Sequence, residues 1–200
     1  MLCAGLTLWS PLVRANIGPG KTVAVVGMGG LGHFAVIWAA ALGAEVSVIS
    51  HSPSKKDDAI KLGAKTFIIN SGKDWAKPPE FSFDFILNTA NMTHQFDIGE
   101  YLSLCKVNGS FHQVAVPEEP LPQFQTQVFM KNGSSIGASH IGSRPECLAM
   151  LKLAAEKKLF SIVERIPISA EGCKEAVSKV KDGKVRYRVT LTGYDEAFGA

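Results

Sequence analysis

The sequence predicts a doubly wound α/β fold with three layers, in which helices cover both faces of one parallel sheet. Three observations support this prediction: apolar runs alternate with helical segments, the runs are continuously apolar, and a glycine-rich turn follows the first of them. Continuous apolar strands are typical of a sheet that is buried on both faces. The predicted strands are 23–26, 46–49, 66–69, 83–87, 110–116 and 135–138.

Two helices are predicted between the first three strands, over 33–42 and 54–62. Each is followed by a glycine, Gly43 or Gly63, and glycine most easily takes the left-handed conformation that ends a helix. Strand, helix and strand in this order are typical of right-handed crossovers between parallel strands.

The last quarter of the chain follows another pattern, with helices predicted over 145–158 and 170–182 and a strand over 162–166. The stretch VRYRVTL, which comes next, alternates strictly between polar and apolar residues. Such alternation indicates a strand with one solvated face or a partner domain, so this strand is predicted to lie outside the parallel sheet. The tail, 193–200, is expected to fray.

The composition of the 200 residues is that of a globular protein, with 46% hydrophobic residues, 20% charged residues and a formal net charge of +3. Lys and Arg are scattered, so no nucleic-acid-binding surface is predicted. The four cysteines lie far apart without a C-x-x-C pair, which favours reduced thiols and a cytoplasmic location. No signal peptide is predicted, and the longest apolar run, 34–42, is too short to span a membrane.

The turn after the first strand contains the pattern G-x-G-x-x-G, formed by Gly27, Gly29 and Gly32, with Gly30 as an additional glycine. In such a turn the first glycine permits a sharp bend, the second lets backbone N–H groups approach a diphosphate, and the third lets the helix pack on the strand. The helix N-terminus adds unpaired N–H groups and the positive end of its dipole. The sequence therefore predicts a Rossmann dinucleotide site, the alternative being a glycine turn that serves packing alone.

The end of the second strand favours NADP over NAD. An NAD site places an acidic residue about 20 positions after the glycines to bind the ribose hydroxyls, whereas Ser50 occupies that place here. The following residues include His51, Ser52, Lys55 and Lys56, which offer imidazole, hydroxyl and ammonium groups to a 2'-phosphate.

A structural role for this serine- and lysine-rich stretch remains open. Ser52 or Ser54 can cap the next helix while the lysines face solvent. A lysine in a first helical turn opposes the helix dipole by about 0.3 to 1 kcal/mol, and a bound phosphate would reverse that sign. Asp57 and Asp58 could offset the same cost without a ligand.

Five segments, in order along the chain, resemble the zinc-dependent medium-chain alcohol dehydrogenases, and most of all the NADP-dependent group that includes the cinnamyl alcohol dehydrogenases. These segments are MLCAGLTLWSPL, VGMGGLGHFAVIWAAALGAEV, VISHSPSKKDDAIKLGA, SIGASHIGSRPECLAMLKLAAEKK and GKVRYRV. The resemblance implies a Rossmann coenzyme-binding domain over 15–160 and a hinge helix over 1–14. It also implies that 161–200 returns to a GroES-like catalytic domain, which precedes the coenzyme domain in the family.

The resemblance also implies roles for individual residues. Cys3 matches one protein ligand of the catalytic zinc, and Thr7 matches a threonine beside the nicotinamide. The positions that it assigns to the coenzyme also include Gly27, Gly29, Gly30, Leu31 and Gly32 in the turn, Ser50, His51, Ser52 and Lys55 at the 2'-phosphate, Thr89 at the ribose, Ala115 and Val116 under the nicotinamide, and Ser139, His140 and Ile141 further along.

The implied activity is the interconversion of aldehydes and primary alcohols, in which zinc polarises the substrate oxygen and hydride passes to or from NADP(H). A catalytic zinc needs three protein ligands, and in this sequence only Cys3 matches one. The histidines show no ligand spacing with it: they are His33, His51, His94, His112 and His140. The chain is therefore expected to bind NADP(H) without turning over substrate, with zinc bound only in a complete enzyme.

A second hypothesis is a standalone module that binds NADPH without catalysis. A methyltransferase that uses S-adenosylmethionine is disfavoured because it would want an acid at Ser50, and a short-chain reductase because no Tyr-x-x-x-Lys is present. The resemblance further implies a homodimer through the last sheet strand, within 134–141. Without the catalytic barrel, we expect exposed apolar surface along the first helix and the C-terminal elements.

Overall fold

A computed structural model of the protein describes residues 1–71, 75–77, 79–91, 96–117 and 119–199. The chain forms two compact units, Met1–Leu159 and Phe160–Ala200. The first unit contains a sheet of six parallel strands, called the main sheet below, in the order β3-β2-β1-β4-β5-β6. Its strands are β1 (Thr22–Val26), β2 (Glu45–Ser50), β3 (Thr66–Ile69), β4 (Phe83–Asn88), β5 (Cys105–Gln113) and β6 (Ser135–Ala138).

The predicted doubly wound parallel sheet is therefore confirmed, and all six strands lie where the apolar runs predict them. The boundaries differ most for β5, which is predicted over 110–116 and begins at Cys105. Cys105 pairs with Phe83, and after a register irregularity the pairing with β4 resumes at Ser110. The direction in which successive strands are added to the sheet changes between β3 and β4: β2 and β3 lie on one side of β1, and β4, β5 and β6 lie on the other. In open parallel sheets, ligands bind at the carboxyl ends of the strands beside such a switch point.

Helices cover both faces of the main sheet. The helices of the first unit are α1 (Ala4–Arg14), α2 (Gly32–Ala41), α3 (Lys56–Lys61), α4 (Ile98–Ser103) and α5 (Arg144–Glu156). Burial of α2 is nearly complete, from Gly32 to Ala39, as its apolar composition predicts. None of the helices in the described part of the chain has the length and apolar composition needed to cross a membrane.

Helix α1 is buried from Ala4 to Leu12. It packs against α2, where the rings of Trp9 and Trp38 meet edge to face with centroids 5.9 Å apart. The indole N–H of Trp38 donates to the carbonyl oxygen of Gly5 at 3.0 Å, which ties the two helices together. The expectation of exposed apolar surface along this first helix is wrong, because α2 and α5 cover it.

The second unit holds a separate parallel pair, β7 (Val163–Pro167) and β8 (Arg188–Thr192), joined by α6 (Ala170–Lys181). The alternating strand thus lies outside the main sheet, as predicted. The expectation of a frayed tail is wrong, because Tyr194–Phe198 forms the short helix α7. Its terminal rings, Tyr194 and Phe198, are four positions apart and pack with centroids at 5.0 Å, a contact that stabilises a helical turn.

Candidate functional site

The glycine turn at the end of β1 has the geometry that the pattern predicts. Gly27 has φ of +86°, a conformation that residues with a side chain rarely adopt. A Cβ on Gly32 would lie 2.0 Å from the carbonyl oxygen of Gly27, so only glycine lets α2 approach the turn this closely. At Gly29, by contrast, a Cβ would meet no atom of the described residues within 4 Å, apart from its chain neighbours. The turn therefore leaves open space above its second glycine.

Helix α2 begins directly after this open space. Its N-cap residue, Leu31, makes no side-chain cap, and its first turn contains no acidic residue. Within the turn, Gly29 accepts a hydrogen bond from the N–H of His33 at 3.1 Å, and the half-buried Gly30 lies between Gly29 and Leu31. A helix N-terminus without a cap or an acid is favourable for an anion. The glycine turn and α2 together fit the diphosphate of a dinucleotide.

Thr89 fastens the end of β4 to the glycine turn. Its hydroxyl donates to the carbonyl oxygen of Val26 at 2.8 Å and lies 3.1 Å from that of Gly27. Its backbone N–H also donates to Val26 at 2.9 Å. The structure thus gives Thr89 a position beneath the turn; the ribose contact implied for it stays a prediction.

A cavity of about 420 Å³ opens beside the turn, at the carboxyl ends of β1, β2 and β3. Three predicted site residues line it, namely Gly27, Ser50 and His51. The other lining residues are Val26, Ile49, Asn70, Trp75, Ala90, Asn91, Phe96, Asp97, Glu100 and Tyr101. The predicted diphosphate turn and the predicted edge of the 2'-phosphate site therefore face one cavity.

The stretch after His51 does not line the cavity. Ser52 caps a short 3-10 turn by accepting the backbone N–H of Ser54 at 3.3 Å, which is the structural role left open above. Lys55 is half-buried, and Asp57 and Asp58 occupy the first turn of α3. The Ser52 hydroxyl also donates to Oγ of Ser54 at 3.1 Å, and it would have to turn its O–H away from Ser54 to bind a phosphate, which only accepts hydrogen bonds. The 2'-phosphate role of Ser52 and Lys55 therefore stays a prediction.

One wall of the cavity is aromatic, and the sequence patterns did not predict it. The ring of Tyr101 stacks on that of Phe96 with centroids 4.2 Å apart. The ring of Trp75 packs against Tyr101 at a tilt, with centroids 5.0 Å apart. The hydroxyl of Tyr101 accepts a hydrogen bond from the side-chain amide of Asn70 at 2.6 Å, and burial raises the pKa of Tyr101 to about 12. Asn70 could have been predicted as a site residue from the sequence, because it is a polar residue directly after a predicted strand. Trp75 lies in a connection without periodicity and gave no such signal.

A buried amide pair holds the backbone at Ala115, where the nicotinamide contact stays a prediction. Asn88, the last residue of β4, donates to the side-chain oxygen of Gln113 at 2.5 Å, and Gln113 donates to the carbonyl oxygen of Ala115 at 2.7 Å. Ala115 is buried, whereas Val116 is 75% exposed. The pair fixes the backbone at Ala115 and leaves Val116 in solvent.

The stretch Ser139, His140 and Ile141 follows the last strand of the main sheet. The Ser139 hydroxyl lies 2.8 Å from Nε2 of His112, whose pKa is lowered by burial and by the charge of Arg14. His140 is exposed, and Ile141 has φ of +60°, so the chain turns sharply here. Six predicted coenzyme contacts thus follow the carboxyl ends of β4, β5 and β6, outside the 420 Å³ cavity: Thr89, Ala115, Val116, Ser139, His140 and Ile141.

Helix α1 carries the two predicted residues nearest the start of the chain. The Thr7 side chain is buried, and its hydroxyl donates to the carbonyl oxygen of Cys3 at 3.0 Å. Cys3 is exposed. Across the described residues, no three His, Cys, Asp or Glu side chains are grouped to hold a metal ion; His94 lies outside the described residues. The donors within the described ranges therefore do not make up the three-ligand set of a catalytic zinc.

A family model for zinc-binding dehydrogenases matches residues 30–156, which include α2, α5 and most of the residues that line the cavity. This chain belongs to the zinc-binding dehydrogenase family. The family assignment confirms the resemblance, and it covers the glycine turn from Gly30 onward. A Saccharomyces cerevisiae relative, NADP-dependent alcohol dehydrogenase 6, is 38% identical over 199 residues, which are 99% of this chain and 55% of that protein. NADP-dependent alcohol dehydrogenase C 1 of Mycolicibacterium smegmatis is 39% identical over 96% of this chain and 53% of its own length.

Solved structures give the same assignment. A cinnamyl alcohol dehydrogenase from Sorghum bicolor superposes with a TM-score of 0.85 at 35% identity, over 94% of this chain and 52% of that one. A Helicobacter pylori enzyme described as CAD complexed with NADP(H) has a TM-score of 0.78 at 31% identity, over the same shares. This family member therefore has the Rossmann-like fold of alcohol dehydrogenases. The chain spans about half the length of the curated relatives it matches.

Proposed function

We propose that this chain binds NADP(H) as the coenzyme-binding part of an alcohol dehydrogenase that interconverts aldehydes and primary alcohols. The observation that carries the proposal is the glycine turn: open space above Gly29, next to the uncapped N-terminus of α2, adjoins a cavity with a serine where an NAD site would have an acid. The relatives named above are NADP-dependent alcohol dehydrogenases, which supports the choice of coenzyme and of reaction class.

Each part of the coenzyme has a place in this proposal. The backbone of Gly29 and the first turn of α2 bind the diphosphate, and Ser50 with Lys55 binds the 2'-phosphate. Ala115 supports the nicotinamide through its fixed backbone. When bound, the coenzyme donates or accepts the hydride, and this chain binds and orients it. No step is assigned to zinc, because Cys3 is the single predicted ligand on this chain.

A standalone NADPH-binding module is the second candidate. It uses the same glycine turn and cavity and needs no metal ligand. Both candidates bind NADPH, and under either one this chain alone is expected to turn over no substrate, so a turnover assay decides between them only if it detects activity. Reduction of an aldehyde by the chain in the presence of NADPH and zinc, followed at the nicotinamide absorbance, would exclude the module.

Titration with NADPH and NADH tests the coenzyme assignment. We expect NADPH to bind at least about tenfold more tightly, or about 1.4 kcal/mol, because only NADPH offers the 2'-phosphate. Lys55→Ala should shrink this difference. Lys61→Ala, on the last turn of α3, is the matched control and should leave the difference unchanged. Equal affinities for the two coenzymes in the unaltered protein would contradict the proposal.

A further inference from the structure

The 420 Å³ cavity has two chemically different sides. One side is formed by the glycine turn and the end of β2, which present backbone and hydroxyl groups at Gly27 and Ser50. The other side is formed by the aromatic wall and by two carboxylates, Glu100 on α4 and Asp97 at its N-cap. Asp97 is used by the helix itself, since it accepts the backbone N–H of Gly99 at 2.8 Å. Under the proposed function, the phosphates of a bound adenosine occupy the first side. Its base then has the second side as its contact surface.

The aromatic wall holds Glu100 in place. Nε1 of Trp75 donates to Oε2 of Glu100 at 2.8 Å, so the indole ring and the carboxylate fix each other. The ring of Trp75 is itself packed against Tyr101, which is buried and stacked on Phe96. Aromatic rings bind the faces of purine bases by stacking, with little preference among bases. Stacking on the aromatic wall would therefore bind a purine base without selecting adenine over another purine.

Glu100 supplies the group that can choose. A carboxylate accepts hydrogen bonds and donates none, and one oxygen of Glu100 is used by the indole N–H. Adenine carries an amino group, a donor, where hypoxanthine carries a carbonyl, an acceptor. A carboxylate at that edge of the base attracts the first and repels the second.

We propose that Glu100 is the residue that selects adenine as the base of the bound coenzyme, and that Trp75 positions its carboxylate. This inference rests on the proposed function, since it needs a dinucleotide phosphate in the cavity. It goes further in naming the part of the coenzyme that the acidic and aromatic side of the cavity recognises. A site that hydrogen-bonds one edge of a ligand rejects the analogue with the reversed polarity, because a buried polar group is then left unpaired.

The test is calorimetric titration of the whole chain with NADPH and with its hypoxanthine analogue, reduced nicotinamide hypoxanthine dinucleotide phosphate. We expect the unaltered protein to bind NADPH at least about tenfold more tightly than the analogue. Glu100→Gln should reduce this ratio to below about threefold, because a carboxamide can donate as well as accept. Trp75→Phe keeps a stacking ring but loses the indole N–H, and should lower the ratio while retaining NADPH binding. Glu156→Gln, at the exposed end of α5, is the control and should keep the full ratio.

The outcomes separate the two proposals. Equal binding of NADPH and the analogue by the unaltered protein overturns the base-selecting role of Glu100 and leaves the proposed function standing. A full ratio in Glu100→Gln overturns it as well, and a full ratio in Trp75→Phe overturns the positioning role of Trp75. Failure to bind NADPH at all overturns the proposed function together with this inference. The ratio in the unaltered protein needs no variant, so a variant that does not fold cannot obscure the result.

Discussion

Gly29 and Gly32 belong to one turn but have opposite surroundings. Beyond its chain neighbours, Gly29 has nothing among the described residues near the place of a Cβ, whereas Gly32 has the carbonyl oxygen of Gly27 at 2.0 Å from that place. The motif G-x-G-x-x-G requires glycine at both positions and does not by itself show this difference. At the scale of the residue, the structure separates a glycine needed for the fold from one whose open space suits a ligand.

Alanine at each of the two positions tests this separation. Gly32→Ala should lower the melting temperature substantially, since overpacking of this kind costs about 1 to 3 kcal/mol. Gly29→Ala should melt close to the unaltered protein and yet bind NADPH at least about tenfold more weakly, because its Cβ would enter the space assigned to the diphosphate. Thermal unfolding and NADPH titration of both variants provide the check. Unchanged NADPH affinity in Gly29→Ala would argue against a diphosphate at this turn.

At the scale of the element, the N-terminus of α5 has a complete capping box. It follows the stretch Ser139, His140 and Ile141, at the end of the main sheet. The Ser143 side chain and the Glu146 side chain each accept the other's backbone N–H, and Arg14 at the end of α1 donates twice to the same carboxylate. The hydrogen bonds from Arg14 lower the pKa of Glu146 from 4.5 to about 2. One carboxylate thus joins two helices and caps one of them.

Glu146→Gln should reduce the loss of stability at acid pH. A carboxyl whose pKa is lower in the folded state contributes stability above its unfolded pKa, and this contribution is lost as pH falls from about 4.5 toward 2. The melting temperature of the unaltered protein should therefore fall more steeply over that window than that of Glu146→Gln. Part of the fall in melting temperature should remain in both proteins, because Asp84 is a second carboxyl with a lowered pKa. Burial alone would raise the pKa of Asp84, but hydrogen bonds from Lys106 and Thr22 lower it well below the usual range.

Glu156→Gln is the control for this measurement, since Glu156 lies on the same helix and is 3.9 Å from Lys152 at the surface. It should keep the slope of the unaltered protein. Identical slopes in the unaltered protein and Glu146→Gln would show that the Arg14 pair does not contribute to stability in this window.

At the scale of the whole molecule, the last strand of the main sheet, β6, pairs with β5 on one side and ends the strand order on the other. An edge strand presents unpaired backbone groups that another strand can join. We therefore propose a homodimer that pairs the two β6 strands edge to edge. Ser135 and Ala138 are both exposed on β6, and the double variant Ser135→Lys, Ala138→Lys should shift the protein toward the monomer in sedimentation velocity. The control Ser178→Lys on α6 should leave the oligomeric state unchanged. A monomer in the unaltered protein across micromolar concentrations would contradict the dimer.

Local sequence patterns predicted most of the strands and the glycine turn, but not the contacts between residues that are distant in the sequence. The strands and the glycine turn were predictable because continuous apolar runs and the spacing of Gly27, Gly29 and Gly32 are properties of neighbouring residues. The aromatic wall was not, because Trp75 and Tyr101 meet only after β3 and β4 take their places on opposite sides of β1. The burial of α1 also depends on contacts with α2 and α5 that periodicity does not encode. The helix at Tyr194–Phe198 could have been predicted, because the two rings have the four-residue spacing of a helical turn.

A crystal structure of the chain with NADP bound tests the central claim most directly. We expect the diphosphate to lie against Gly29 and the first turn of α2, and the 2'-phosphate to lie within hydrogen-bond distance of Ser50 and Lys55. An empty cavity, or a coenzyme whose 2'-phosphate points into solvent away from Ser50 and Lys55, would contradict it.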